Sequence, residues 1–208
     1  MFDEKFSAVL ERYEARATDE AKLWATTNPA ELFGRRDELL LEVGPDTANF
    51  LLSLAVGRRA VRLVELGTSY GYSTLFLAEA ARRTGGRLTT YELSSDKQSF
   101  AKDQIKEAGL GDYVEWRQGD AVELLKDEKD GIDFVLIDLW KELYVPCLEA
   151  IYPKLAQNAV LAADNILEPA MARPEAEAYR AAVRQKKDLQ SVLLPIGSGI
   201  ELSCRWIQ

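Results

Sequence analysis

Along the first third of the chain, apolar residues recur at helical spacing. Phe2, Phe6, Val9, Leu10, Tyr13 and Ala17 predict a helix from residue 2 to about 26, and Asn28-Pro29 ends it. A short helical piece over Pro29–Phe33 follows, then a polar Gly34-Arg-Arg-Asp. Gly44-Pro45-Asp46 starts another helix, with proline in its first turn. It runs to about Arg58 and turns Phe50, Leu51 and Leu54 toward a core. From Val61 onward short apolar runs alternate with helical stretches. Strands are expected at Val61–Leu66, Arg87–Glu92, Tyr113–Gln118, Ile132–Asp138 and Ala159–Asp164. Helices are expected at Tyr72–Arg83, Ser95–Ala108, Ala121–Lys126, Leu143–Tyr152 and Pro174–Lys186. The chain closes with Gln190–Ile196 and Ile200–Trp206, joined by Gly197-Ser-Gly199, a hairpin signal.

Strand–helix alternation predicts an α/β fold with a doubly wound, mostly parallel sheet of seven strands, the closing hairpin adding an antiparallel strand. With 208 residues and neither linker nor repeat, one domain is expected over 1–208. Its N-terminal helices, residues 1–58, cover the sheet or the mouth of a site, or form a dimer interface.

Composition narrows the function. The formal net charge of -8 argues against a protein held on nucleic acid by phosphate contacts. No apolar run approaches a membrane span, and the first residues carry no signal-peptide stretch, so the chain reads as cytoplasmic. The two cysteines, Cys147 and Cys204, do not form a secretory disulfide framework and read as buried thiols. The chain has no histidine. Any metal or acid–base chemistry therefore falls to oxygen ligands and lysine.

Two constellations carry candidate chemistry. Glu65-Leu-Gly67-Thr-Ser69-Tyr-Gly71-Tyr-Ser73 follows a strand and opens a helix. Its glycines permit a sharp turn and close approach of a ligand, and the helix N-terminus favours an anion such as a carboxylate, to which Ser73 would add a hydroxyl. Glu92 ends the next strand, where an acid takes ribose hydroxyls, and Asp120 after the third strand would lie near a base edge. The loop lacks the Gly-x-Gly-x-x-Gly spacing of dinucleotide enzymes and is not a Walker loop. A nucleoside carrying a carboxylate fits it better than a pyrophosphate. The bland reading is a tight strand–helix turn.

The second constellation is Asp138, Lys141, Asp164 and Asn165. Both acids end strands, where open parallel sheets bind their ligands. Two carboxylates and an amide carbonyl are oxygen ligands suited to Mg²⁺, Ca²⁺ or Mn²⁺. Near a divalent cation the Lys141 ammonium is disfavoured, so its pKa would fall toward a value useful for a base. The bland reading makes the acids helix caps and Lys141 a surface charge. Trp140 is either core or a wall for an aromatic substrate.

The ordered set Val43-Gly-Pro-Asp46, Glu65–Ser73, Glu92, Ile137-Asp-Leu-Trp-Lys141, Ala163-Asp-Asn165 and Gly199-Ile-Glu201 resembles the metal-dependent class I O-methyltransferases that use S-adenosylmethionine. These are catechol O-methyltransferase and its caffeoyl-CoA-type relatives, and the resemblance covers roughly residues 40 to 205. It implies a Rossmann-like methyltransferase fold and methyl transfer to a hydroxyl of a catechol-like vicinal diol. It also implies Mg²⁺ on Asp138, Asp164 and Asn165, and Lys141 as general base. Glu201 would hold the second hydroxyl as a further catalytic acid. Trp140, Pro169, Lys141 and Asn165 would line the substrate. Val43, Glu65, Gly67, Ser69, Gly71, Ser73, Glu92, Asp120 and Asp138 would surround the cofactor. The chain departs from the catechol enzyme at Leu139, where that enzyme has histidine, and at Leu39, where a tryptophan wall is expected. A methyltransferase acting on protein or RNA and a nicotinamide oxidoreductase are the rival readings.

Overall fold

In the computed structural model, which describes residues 2–206 apart from the side chains of Pro29, Ala30 and Phe33, a seven-stranded sheet runs in the order β3-β2-β1-β4-β5-β7-β6. The strands are β1 Arg62–Leu66, β2 Arg87–Glu92, β3 Val114–Gln118, β4 Ile132–Ile137, β5 Leu155–Ala163, β6 Leu189–Leu194 and β7 Ile200–Arg205. β1 to β5 are parallel; β7 lies antiparallel between β5 and β6. The order reverses at β1 and β4, so a crevice opens beyond the carboxyl ends of these two strands.

Helices cover both faces: α1 Glu4–Thr26, α2 Pro29–Gly34, α3 Pro45–Arg58, α4 Tyr72–Thr84, α5 Ser95–Glu107, α6 Ala121–Leu124, α7 Tyr144–Ile151 and α8 Arg173–Gln185. Their ends follow local chemistry. Asp3 accepts from the Phe6 N–H to start α1, Ser94 caps α5, and Asp120 caps α6. The central strands read as continuous apolar runs because both their faces are buried. On β4, Phe134 and Leu136 join the core under α1, α3 and α4, while Val135 and Ile137 join the core under α7 and α8. The N-terminal helix belongs to the first of these cores through Phe6, Val9 and Tyr13.

Most element ends lie within one or two residues of the sequence-based expectation, and three differences have a physical cause in the structure. β5 begins at Leu155, not Ala159, because the pairing with Ile132 extends past a register irregularity and past Asn158, whose φ is 60°. The polar Gln157-Asn158 hides that extension. α6 stops at Leu124 and passes into a single 3₁₀ turn. The β6–β7 turn is longer than the Gly197–Gly199 link because β6 ends at Leu194. It rests on α3: a Cβ at Gly197 would lie 2.4 Å from the Thr47 hydroxyl. Cys147 is buried as expected, but Cys204 is partly exposed near the sheet's edge; both are free thiols. Among the described residues no helix is long and apolar enough to cross a membrane.

Candidate active site

At the end of β1, the Glu65 carboxylate is completely buried and accepts three hydroxyls, from Ser73, Thr74 and Thr90, each at 2.6 Å. Burial pushes its pKa up to about 7, with these hydrogen bonds pulling the other way. Ser73 thus donates its hydroxyl to Glu65 in this structure. The sequence reading found Glu65 and Ser73 but missed Thr74 and Thr90, which show no motif spacing.

The turn that follows is set by close backbone packing. A Cβ on Gly67 (φ 103°) would lie 2.0 Å from the Asp138 carbonyl oxygen, so only glycine lets β1 and β4 meet here. Ser69 donates its backbone N–H to Glu92 at 2.8 Å, and Ser94 donates its own to the other Glu92 oxygen at 2.9 Å. Glu92 therefore shapes the crevice through both oxygens and keeps its remaining lone pairs for a ligand. Gly71 (φ 93°) caps α4, with the Tyr13 hydroxyl beside it; that hydroxyl donates to the Tyr70 carbonyl at 2.6 Å. A helix outside the alternating pattern thereby braces the loop. Asp120 is exposed and spends one carboxylate oxygen on the first turn of α6.

A narrow cleft lies over this turn. Its walls are the 40–43 segment with Val43, the Gly67–Ser69 turn, Tyr72, Ser73 and Asp138. Glu42, which the sequence reading did not single out, is half-buried there, and desolvation raises its pKa.

Asp138 and Asp164 follow the paired strand ends Ile137 and Ala163. Burial raises the pKa of both, opposed at Asp138 by Lys141. Asp164 reaches about 7, with the neighbouring Asp138 charge adding to burial. Its Oδ1 is buried without a hydrogen-bond partner. The Lys141 amine lies 3.0 Å from Asn165 Oδ1, 2.5 Å from the Tyr144 hydroxyl and 4.0 Å from Asp138 Oδ1. Burial lowers the pKa of Lys141, with the two aspartates opposing. These four expected residues are brought together; Tyr144, hidden in an apolar helix pattern, is the member that sequence reasoning missed.

Among the described residues no group of three or more His, Cys, Asp or Glu side chains is arranged to hold a metal. The acids here are Asp138 and Asp164, so a third protein oxygen would be the Asn165 amide. That donor set is hard and anionic, and the orphaned Asp164 Oδ1 is a buried acceptor that a hydrated cation would satisfy. The residues fit such an ion.

Trp140 is 40% exposed, with the Arg36 guanidinium 4.9 Å above its ring, so it borders the crevice and is not core. Pro169 is exposed, follows a cis peptide bond and lies on the loop after β5. Glu201 is not brought into the crevice. It is fully buried on β7 opposite Ala163, and its oxygens accept from Arg180 Nε and the Ser191 hydroxyl, both at 2.8 Å. Strand alternation turns it with Ala163 toward α8.

This topology, with a glycine turn at its switch point and acids after β4 and β5, is that of an open, doubly wound α/β sheet with its crevice at the switch point. A methyltransferase-domain family model matches residues 64–166. The catechol O-methyltransferase of Niastella koreensis is 32% identical over 153 residues, which cover 72% of this chain and 67% of that protein. The caffeoyl-CoA O-methyltransferase of Eucalyptus gunnii is 25% identical over 189 residues, 81% of this chain and 75% of that one. Three further curated relatives are matched over only 51 to 58% of their own length. The fold is shared with the O-methyltransferase from Bacillus cereus in complex with SAH, at a TM-score of 0.77 and 24% identity, over 99% of this chain and 92% of that one. The chain belongs to the S-adenosylmethionine-dependent O-methyltransferases of the catechol O-methyltransferase type. The nicotinamide oxidoreductase reading is thereby set aside.

Proposed function

We propose that this protein transfers a methyl group from S-adenosylmethionine to one hydroxyl of a vicinal-diol phenolic small molecule, with Mg²⁺ as the preferred divalent ion. The observation that carries the reading is the meeting of Asp138, Lys141, Asp164 and Asn165 beside the Gly67–Ser73 cleft.

The cofactor supplies an activated methyl group, so the protein's task is alignment and removal of one proton. The 40–43 segment, the Gly67–Ser69 turn and Asp138 would hold the methionine part, and Glu92 the ribose. Asp138, Asp164 and the Asn165 amide would hold the divalent ion, which when bound lowers the pKa of adjacent hydroxyls and orients them. Lys141 takes the proton from the hydroxyl that becomes methylated. Its amine is already biased toward the neutral form by burial, and a general base in this position contributes roughly 10²- to 10⁴-fold. Trp140 and Pro169 would flank the ring. Glu201, bonded to Arg180 and Ser191, supports the end of β5 and has no direct role with the hydroxyls in this reading.

A methyl-transfer screen over vicinal diols, matched monophenols and a peptide and RNA control, each with Mg²⁺ and with excess chelator, tests the proposal. Mg²⁺-dependent methylation of diols alone is expected. Full turnover in chelator would remove the metal role, and methylation confined to peptide or RNA would replace the substrate class.

A further inference from the structure

Tyr144 opens α7 with its side chain wholly buried, its ring edge-on to Tyr179 at 5.5 Å between centroids. Its hydroxyl donates to the Asp164 backbone carbonyl at 3.0 Å. A phenol has one proton, so toward Lys141 Nζ, 2.5 Å away, the same oxygen acts only as acceptor. The remaining neighbours of that amine are Asn165 Oδ1 at 3.0 Å, the Leu139 carbonyl at 3.4 Å and Asp138 Oδ1 at 4.0 Å.

From this geometry we infer that Tyr144 is the positioning residue for Lys141, holding the amine beside Asn165 and off the Asp138 carboxylate. The inference rests on the proposed role of Lys141. Tyr144 and Asn165 accept from the amine at 2.5 and 3.0 Å, and these two bonds fix where Nζ sits relative to the two strand ends. Lysine's flexible stem gives no such orientation by itself. Without the phenolic oxygen, the amine keeps one short bond, to Asn165, and the nearest strong acceptor becomes Asp138. Closing that 4.0 Å gap would make a direct ion pair, displace the amine and occupy a carboxylate the site uses. The bond to the Asp164 carbonyl adds a second function: one hydroxyl ties the segment after β4 to the end of β5, so Lys141 and Asp164–Asn165 keep a common frame.

The test compares Tyr144→Phe, Lys141→Met and the double variant as full-length protein. The acceptor is the vicinal diol of the screen that the wild type turns over fastest, with S-adenosylmethionine and Mg²⁺. Phenylalanine keeps the ring that packs on Tyr179, so the variant is expected to fold, with a melting temperature lower by only the few degrees that the lost hydroxyl bonds are worth. Tyr144→Phe is expected to lower kcat about 10- to 100-fold, with KM for cofactor and diol unchanged, and to cause no further loss on Lys141→Met. A wild-type kcat for Tyr144→Phe beside a dead Lys141→Met overturns the positioning role and leaves the base. So does a loss in the double variant equal to the product of the single losses. An active Lys141→Met overturns the base, and the positioning role with it.

Discussion

Arg180 Nε lies 2.8 Å from Glu201 Oε2, joining a partly exposed guanidinium on α8 to a carboxylate with no exposure at all on β7. The Ser191 hydroxyl completes the arrangement from β6. This pair fastens α8 to the antiparallel edge of the sheet, immediately beside the strand that ends in Asp164. A buried ion pair adds little over an apolar substitute, but half of one is costly.

Arg180→Ala is therefore expected to destabilise the protein by about 3 kcal/mol, because Glu201 is left charged and buried. Glu201→Gln, whose carbonyl oxygen can still accept from Arg180 while its amide N–H donates to the Ser191 hydroxyl, is expected to lose only about 1 kcal/mol. Urea unfolding of the two variants checks the order. Equal and negligible losses would mean that the pair does not fasten α8. If Glu201 touched a substrate hydroxyl, its glutamine variant would instead lose diol affinity at unchanged stability.

Glu65 makes stability pH-dependent. Its pKa is about 7 when folded and 4.5 as a free side chain, so between these values the folded state binds the proton and the unfolded state does not. Stability from this group is present below pH 4.5, falls as pH rises, and is lost above about 7. The total is about 3 kcal/mol. Glu65→Gln, which carries no titrating proton, is expected to flatten that decline and to be the more stable protein at pH 8. Urea midpoints measured across the range for both proteins check this. Parallel pH profiles would show that Glu65 is ionised at lower pH, held by its three hydroxyl donors.

How much of this was legible in the sequence follows from what each feature depends on. β2 runs over Arg87–Glu92 in the sequence pattern and in the structure alike, because alternation and its flanking turns are local. The acids at the ends of β4 and β5 were legible because a parallel sheet puts its strand ends together. Arg180 was not. It sits on a helix that reads as a solvated surface, and only strand alternation on β7, 21 residues away, decides that Glu201 turns toward it. Tyr144 reads as one more apolar position of α7. Its function lies in its one polar atom, and periodicity carries no information about where that atom points. The same holds for Thr74 and Thr90 around Glu65.

Asp164 Oδ1 is buried and has no partner, next to a second buried acid, so without a cation the site keeps two buried acids whose desolvation and mutual repulsion Lys141 only partly offsets. A divalent ion that binds only the folded state removes this cost. At a free concentration 100 times its Kd it would stabilise the fold by about 2.7 kcal/mol. Titrating Mg²⁺ is therefore expected to raise the melting temperature of the wild type in a saturable way, with neither cofactor nor diol present. Asp164→Ala removes the orphaned oxygen and the repulsion on Asp138 together. It is expected to melt at or above the temperature of the metal-free wild type and to show no Mg²⁺ response. Because the readout is stability, it separates the ion's site from its chemistry. An equal Mg²⁺ shift in both proteins would place the ion elsewhere, and Asp164 would then be only a strand-end residue paired through its backbone.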